Sequence, residues 1–219
     1  MSAYAPERWF SVDKEIAEIL LKAKAVTLQP NDPFTFASGI RSPIYCDNRL
    51  LLGHVAEREA VVRWMADIIQ KKKIDADIIG GTAMAGIPWA SWVAEKLEKP
   101  MVFVRAEKKM HGKGNIIEGG MVKRKKVLLV EDLISTGTSA LASVDTLREE
   151  GAEVNDCVAI FTYGFSEAAR SFKEHKVQLY PLSNFAALID AAIKQNYIRA
   201  QQKDHLLEWS KDPRKWGTK

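Results

Sequence analysis

Apolar positions along this chain change their spacing once, near residue 76, and the change separates two kinds of region. Before it, Ile16, Ile19, Leu20 and Ala23 recur at the interval of a helix face, with Ser11 placed to cap the helix. The same rhythm returns over 55–72, with Val61, Val62, Met65, Ile68 and Ile69 on one side. Between the two, residues 29–49 carry Pro30, Pro33, Pro43 and Gly39, which forbid a long helix. After residue 76, short unbroken apolar runs alternate with amphipathic stretches. ADIIGG (76–81), MVFVR (101–105), KVLLVED (126–132), CVAIFTY (157–163) and VQLYPL (177–182) predict strands. Residues 87–98, 139–150 and 166–175 predict helices, the second stopped by Gly151. On the first of these, Ala90, Val93, Ala94 and Leu97 share a face. Apolar runs without polar interruption are buried on both faces, as in parallel sheets. Strand–helix alternation therefore predicts an α/β protein with an open, doubly wound, mostly parallel sheet. Ligands of such sheets sit beyond the carboxyl ends of the strands. The chemistry is expected just after residues 81, 105, 132 and 163.

Composition narrows the class. With 219 residues, 47% hydrophobic and 27% charged, the chain excludes disordered, collagen-like and coiled-coil classes. No apolar run approaches the ~18–20 residues of a membrane helix, and no basic region with an apolar stretch opens the sequence. Two cysteines, Cys46 and Cys157, are too few for a disulfide framework. The expectation is a cytoplasmic protein with no membrane partner. Neither CxxC nor HExxH occurs, which argues against a structural zinc site. A net charge of +4 is mild, and Lys71–Lys73 and Lys123–Lys126 read as solvated ends, so no nucleic-acid partner is expected.

The segment VLLVEDLISTGTSA carries the chemistry. Four apolar residues run into Glu131 and Asp132, and burying two adjacent carboxylates unpaired would cost several kcal/mol. Leu133, Ile134, Ser135, Thr136, Gly137, Thr138 and Ser139 follow, leading into a helix. Hydroxyls, a glycine and a helix N-terminus suit a phosphate monoester. The acid pair ahead of them suits vicinal sugar hydroxyls or a Mg²⁺ ion.

This segment resembles the phosphoribosyl-pyrophosphate signature of type I phosphoribosyltransferases. The resemblance implies that Glu131 and Asp132 hold the ribose hydroxyls of 5-phosphoribosyl 1-pyrophosphate (PRPP), and that the 135–139 loop cradles its 5′-phosphate. VRAEKKMHGKGNIIEGG (104–120) resembles the catalytic loop of the orotate phosphoribosyltransferases, with Arg105, Lys109, His111 and Gly112 at the family's spacing and Lys108 beside them. FTFASGIRSPIYCDNRLLL (34–52) resembles the same family's segment that closes over the pyrimidine. GGTAMAGIP (80–88) resembles its pyrophosphate loop, with Thr82, Ala83, Met84, Ala85 and Gly86 offering N–H groups. PLSNFAALIDAAI resembles its C-terminal region, so the likeness runs from about residue 12 to the end.

The implied organisation is one phosphoribosyltransferase domain over 1–219, with a small N-terminal hood over about 1–55 and a core over about 56–219. The implied reaction joins orotate to PRPP, with Mg²⁺, to give orotidine 5′-monophosphate and pyrophosphate in pyrimidine (UMP) biosynthesis. Glu131, Asp132, Lys109 and His111 are the implied catalytic residues. Orotate falls to Ser135, Arg41, Tyr45 and Tyr163, and no protein side chain is assigned as a metal ligand. The sequence departs from some family members at Ala37, Ala106 and Tyr163, which leaves Arg41 and Arg49 as the two candidates for the orotate carboxylate. A purine phosphoribosyltransferase would lack the 34–52 and 104–120 patterns. A regulatory RNA-binding relative would need a basic face beyond the site. From length, no fused decarboxylase barrel is expected, since such a barrel alone takes ~250 residues. The resemblance also implies a homodimer in which the 106–120 loop reaches the partner's site. Gly112, Gly114, Gly119 and Gly120 suit a lid, and six tryptophans, Trp89 and Trp92 among them, are expected to leave aromatic surface for the interface.

Overall fold

The computed structural model describes residues 12–35, 39–105 and 116–216. Its first element, α1 (Val12–Lys22), buries Ile16, Ala17, Leu20 and Leu21. Ser11, the expected cap, lies outside the described residues. The proline-rich stretch is not plain loop. It holds β1 (Val26–Leu28), β2 (Phe34–Thr35), β3 (Arg41–Ser42) and β4 (Ile44–Cys46), paired antiparallel as β1–β4 and β2–β3. Strands of two or three residues show no alternation, so local patterning could not reveal them. A 3-10 turn over Asn48–Gly53 leads into α2 (Val55–Lys71), whose five inward residues are all buried.

The main sheet comprises β5 (Ile78–Thr82), β6 (Met101–Val104), β7 (Ile117–Glu118), β8 (Val127–Ile134), β9 (Asp156–Thr162) and β10 (Gln178–Asn184), in the spatial order β10-β9-β8-β5-β6-β7. All neighbours are parallel except β7, which runs antiparallel to β6 at the edge. The remaining helices are α3 (Gly86–Lys96), α4 (Thr138–Glu149), α5 (Ser166–Glu174), α6 (Phe185–Lys194) and α7 (Lys203–Lys211).

Residue alternation divides the core between the two faces of this sheet. Leu128 and Val130 of β8, with Val158 and Ile160 of β9, pack with α1, α2, α3, α6 and α7. Val127 and Leu129, with Cys157 and Ala159, pack with α4 and α5. Being buried on both sides is why the strands read as unbroken apolar runs.

The strand order turns back on itself between β5 and β8. From β5 the chain goes outward to β6, then returns across to β8 and continues outward to β9 and β10. That reversal opens a crevice at the strand ends, where α/β sheets hold their ligands.

Two expectations need correction. The strand expected over 126–132 extends to Ile134, because β9 continues beside it with Leu133 opposite Phe161 and Ile134 opposite Thr162. The acid pair thus lies within the strand, and the loop shrinks to 135–137. The described tryptophans supply little aromatic surface: Trp64, Trp89, Trp209 and Trp216 are buried. Trp92 is half-covered, with the Arg58 guanidinium 4.5 Å from its ring centre.

Candidate active site

Three pieces of chain meet at the crevice between β5 and β8. They enclose about 280 Å³, walled by Thr82, Ala83, Met84 and Ala85 from the β5–α3 loop, by Glu131, Asp132 and Leu133 from β8, and by Ser139 from α4. The N-terminal segment supplies the fourth side with Cys46, Asp47 and Arg49.

Glu131 is almost wholly buried. Burial pushes its carboxyl well above the usual carboxylate range, and the Asp132 charge beside it pushes the same way. The Thr82 hydroxyl opposes that shift by favouring the charged form. Burial raises Asp132 as well, against the pull of its hydrogen bond with Glu131, of backbone N–H groups and of the Arg49 charge. The main chain braces the pair, since Asp132 N–H donates to Glu131 Oε1 at 3.0 Å. Two carboxyls held this close and this deep favour a site that receives hydrogen-bond donors or positive charge.

The β5–α3 loop packs tightly against the acids. Ala83 N–H donates to Val104 O at 2.9 Å, and the Ala83–Met84 peptide is cis. Gly86 opens α3 where a Cβ would come within 2.8 Å of Val130 O and 3.4 Å of Glu131 Oε1. Only a residue without a side chain lets the helix begin against the acid strand.

After β8 the chain turns through Ser135, Thr136 and Gly137 into α4. Gly137 takes φ of +85°, and no side chain caps the helix. The first-turn N–H groups have no intrahelical partner and form the positive end of the dipole. Thr136 Oγ1 and Thr138 Oγ1 lie 2.9 Å apart, sharing a hydrogen bond over this turn. N–H donors, hydroxyls and a dipole end can receive a phosphate; two carboxyls a few residues upstream can receive hydroxyls.

The structure sorts the remaining expected residues. Arg105 N–H donates to Ile116 O, and its guanidinium lies 3.9 Å from Glu118. Its Nε is buried and donates no hydrogen bond among the described residues. Ile134 has its side chain in the core, and its carbonyl accepts from Tyr163 N–H and Thr162 Oγ1. Tyr163 is 4% exposed, its ring at 5.2 Å from that of Trp209 and 5.4 Å from Phe165. Burial raises its phenol well above the ordinary value. Its ring lies in the core and is not among the residues walling the crevice, while its phenol feels Cys46, Tyr45 and Asp132. Arg41 and Tyr45 stand on the short strands to one side, Tyr45 against Phe34 with ring centres 5.7 Å apart. Of the two arginine candidates, Arg49 reaches the wall, held by Asp47 through Nε–Oδ1 at 2.6 Å and Nη2–Oδ2 at 2.9 Å. Lys108, Lys109 and His111 lie outside the described residues.

Sequence reasoning missed Cys46 and Asp47 as wall residues, and Asn48 between Asp47 and Arg49 as a contact to β8. The signal available was the polar run Asp47-Asn48-Arg49 set between Ile44 and Leu50. Among the described residues no group of three metal-ligating side chains occurs, and no helix is long and apolar enough to cross a membrane.

The family model of the phosphoribosyl transferase domain matches residues 51–196. The chain is 49% identical over 207 residues to the orotate phosphoribosyltransferase of Listeria monocytogenes, covering 94% of this chain and 99% of that one. It is 46% identical over 202 residues to that of Coxiella burnetii, covering 92% and 97%. The crystal structure of orotate phosphoribosyltransferase from Aeropyrum pernix superposes with a TM-score of 0.71 at 29% identity, over 84% of this chain and 99% of that one.

Proposed function

We propose, since this chain belongs to the phosphoribosyl transferase family and within it to the orotate phosphoribosyltransferases, that it transfers phosphoribosyl from PRPP to orotate. The products are orotidine 5′-monophosphate and pyrophosphate, in pyrimidine (UMP) biosynthesis. The observation that carries the reading is that likeness to the orotate enzymes extends well beyond the general family match over 51–196. The segment ahead of that match places Cys46, Asp47 and Arg49 on the crevice wall. A base specificity has its natural seat there.

Orotate N1 forms its bond to C1′ as the bond from C1′ to pyrophosphate breaks, through a state with oxocarbenium character. No protein nucleophile is required. The work is orientation and electrostatic stabilisation. Glu131 and Asp132 take the ribose hydroxyls and face the cationic sugar. The 135–139 turn takes the 5′-phosphate. Thr82–Gly86, Arg105, Lys108 and Lys109 take the pyrophosphate, and His111 donates a proton or hydrogen bond to it. Arg49, rather than Arg41, is the better-placed partner for the orotate carboxylate, which would displace Asp47. Mg²⁺ uses few protein ligands, and the substrate's own oxygens would hold most of its coordination. When bound it supplies positive charge against the departing pyrophosphate. The assembly in this reading is a cytoplasmic homodimer whose loop serves the partner's site.

The test is turnover with PRPP and Mg²⁺ against orotate, uracil, adenine, guanine and hypoxanthine. Orotate should be consumed and the purines left. Purine turnover at rates matching orotate would overturn the specificity.

A further inference from the structure

Asn48 has had no part in the chemistry so far, yet it touches the acid strand directly. It is fully buried, and its Nδ2 donates to the main-chain oxygen of Asp132 at 2.7 Å. Its Oδ1 accepts from Cys46 Sγ at 3.4 Å. Both ends of one amide are thus used inside the protein, joining the 3-10 turn to β8.

Strand pairing explains why a side chain is wanted there. At the start of β8, Lys126 O accepts from Ile78 N–H on the β5 side, while Val127 N–H donates to Glu153 O on the other. Backbone groups of successive strand residues point alternately to the two neighbours, so residues 128, 130 and 132 direct theirs toward β5. Pairing with β5 ends at Gly81 opposite Val130, where β5 turns into the 82–86 loop. The oxygen of Asp132 is therefore the first on β8 to face that side with no strand beside it. A carbonyl left unpaired at this depth is costly, and Asn48 supplies the donor that β5 no longer can.

We propose that Asn48 is a positioning residue for phosphoribosyl transfer, its amide standing in for the missing stretch of β5 and fixing the Asp132 carboxylate where the ribose is received. The proposal rests on the reading of the site given above. It also explains the choice of residue. Leucine has the same branched outline, though bulkier, but donates nothing, and an ionised aspartate would set an acceptor against an acceptor.

Steady-state kinetics of Asn48→Leu and Asn48→Asp, with melting temperatures taken with and without PRPP, test it. Asn48→Leu should lose roughly tenfold in kcat/KM for PRPP, the scale of one lost buried hydrogen bond. Asn48→Asp should be as impaired at about pH 8 and should recover relative to wild type toward about pH 6, because a protonated carboxyl donates to the same oxygen. A purely structural role would lower melting without that pH-dependent ratio. An Asn48→Leu protein within twofold of wild type, or an Asn48→Asp deficit flat with pH, overturns the proposal. If Asn48→Leu does not fold, the Asn48→Asp ratio decides alone. Should wild type fail to use orotate, the reaction reading falls while Asn48 is judged on PRPP-induced stabilisation. A rise in wild type that shrinks in Asn48→Leu sustains it; equal rises, or none in either, overturn it.

Discussion

Glu131 and Asp132, the acid pair on the crevice wall, are held in surroundings that oppose their charge and so cost the fold stability. Both are pushed above their ordinary range, chiefly by burial. The folded chain therefore holds protons that the unfolded chain has released, and stability should rise as pH falls through the raised folded values. Asp132→Asn removes one charge and its repulsion of Glu131. The free variant should melt no lower than wild type at about pH 8 and should gain less on acidification, which melting across pH checks. Turnover should nonetheless fall at least a hundredfold, about 2.7 kcal/mol of barrier, because the site loses charge facing the sugar. Near-normal kcat in a folded variant would reduce the acid pair to structure. The pair stood out in the sequence because two carboxylates directly after an apolar run have no packing explanation, and the structure puts both on the crevice wall. Asn48 did not, because its role depends on where β5 stops, which no local pattern records. Tyr163, at the end of an apolar run, packs its ring against Phe165 and Trp209 while its phenol lies within electrostatic reach of Cys46 and Asp132, a placement that no local pattern records either.

At the level of elements, the β8–turn–α4 unit depends on Gly137. Its φ of +85° suits glycine, and an added Cβ would also meet Phe172 Cε2 of α5 at 2.8 Å. Gly137→Ala should lose about 1–2 kcal/mol to the left-handed backbone alone, with more from the clash. It should also raise KM for PRPP well above any change in KM for orotate. Urea unfolding and substrate-by-substrate kinetics measure the two effects, and a variant matching wild type in both would mean that the turn tolerates a different shape. The long strands and helices after residue 76 were readable from periodicity, since burial on two faces leaves an apolar run. Their ends were less so. β8 is lengthened by its pairing with β9, and β10 continues through Pro181, which an edge strand tolerates because its outer side needs no N–H donor. The hairpins ahead of residue 47 and the antiparallel β7 are too short to carry a period at all.

For the whole molecule, the open matter is whether one chain completes its own site. The crevice holds the acid pair, the β5–α3 loop and Arg49, while Lys109 and His111 belong to a segment outside the described residues. Trp64, Trp89, Trp209 and Trp216 lie in the core, so these tryptophans give no argument for a dimer, and the case rests on family likeness and on the connection between β6 and β7. Subunit mixing decides it. Lys109→Ala damages the loop and Asp132→Asn damages the pocket, so each homodimer is inactive. If the loop acts across the interface, a mixed dimer has one site damaged twice and one site intact. Random exchange of equal amounts makes half the dimers mixed, each with one working site of two, so activity should recover to roughly a quarter of wild type. If each loop serves its own chain, every site keeps a lesion and mixing restores nothing. Absence of recovery, with exchange demonstrated by a tagged subunit, would rule out the shared site and leave the loop as a lid on its own crevice.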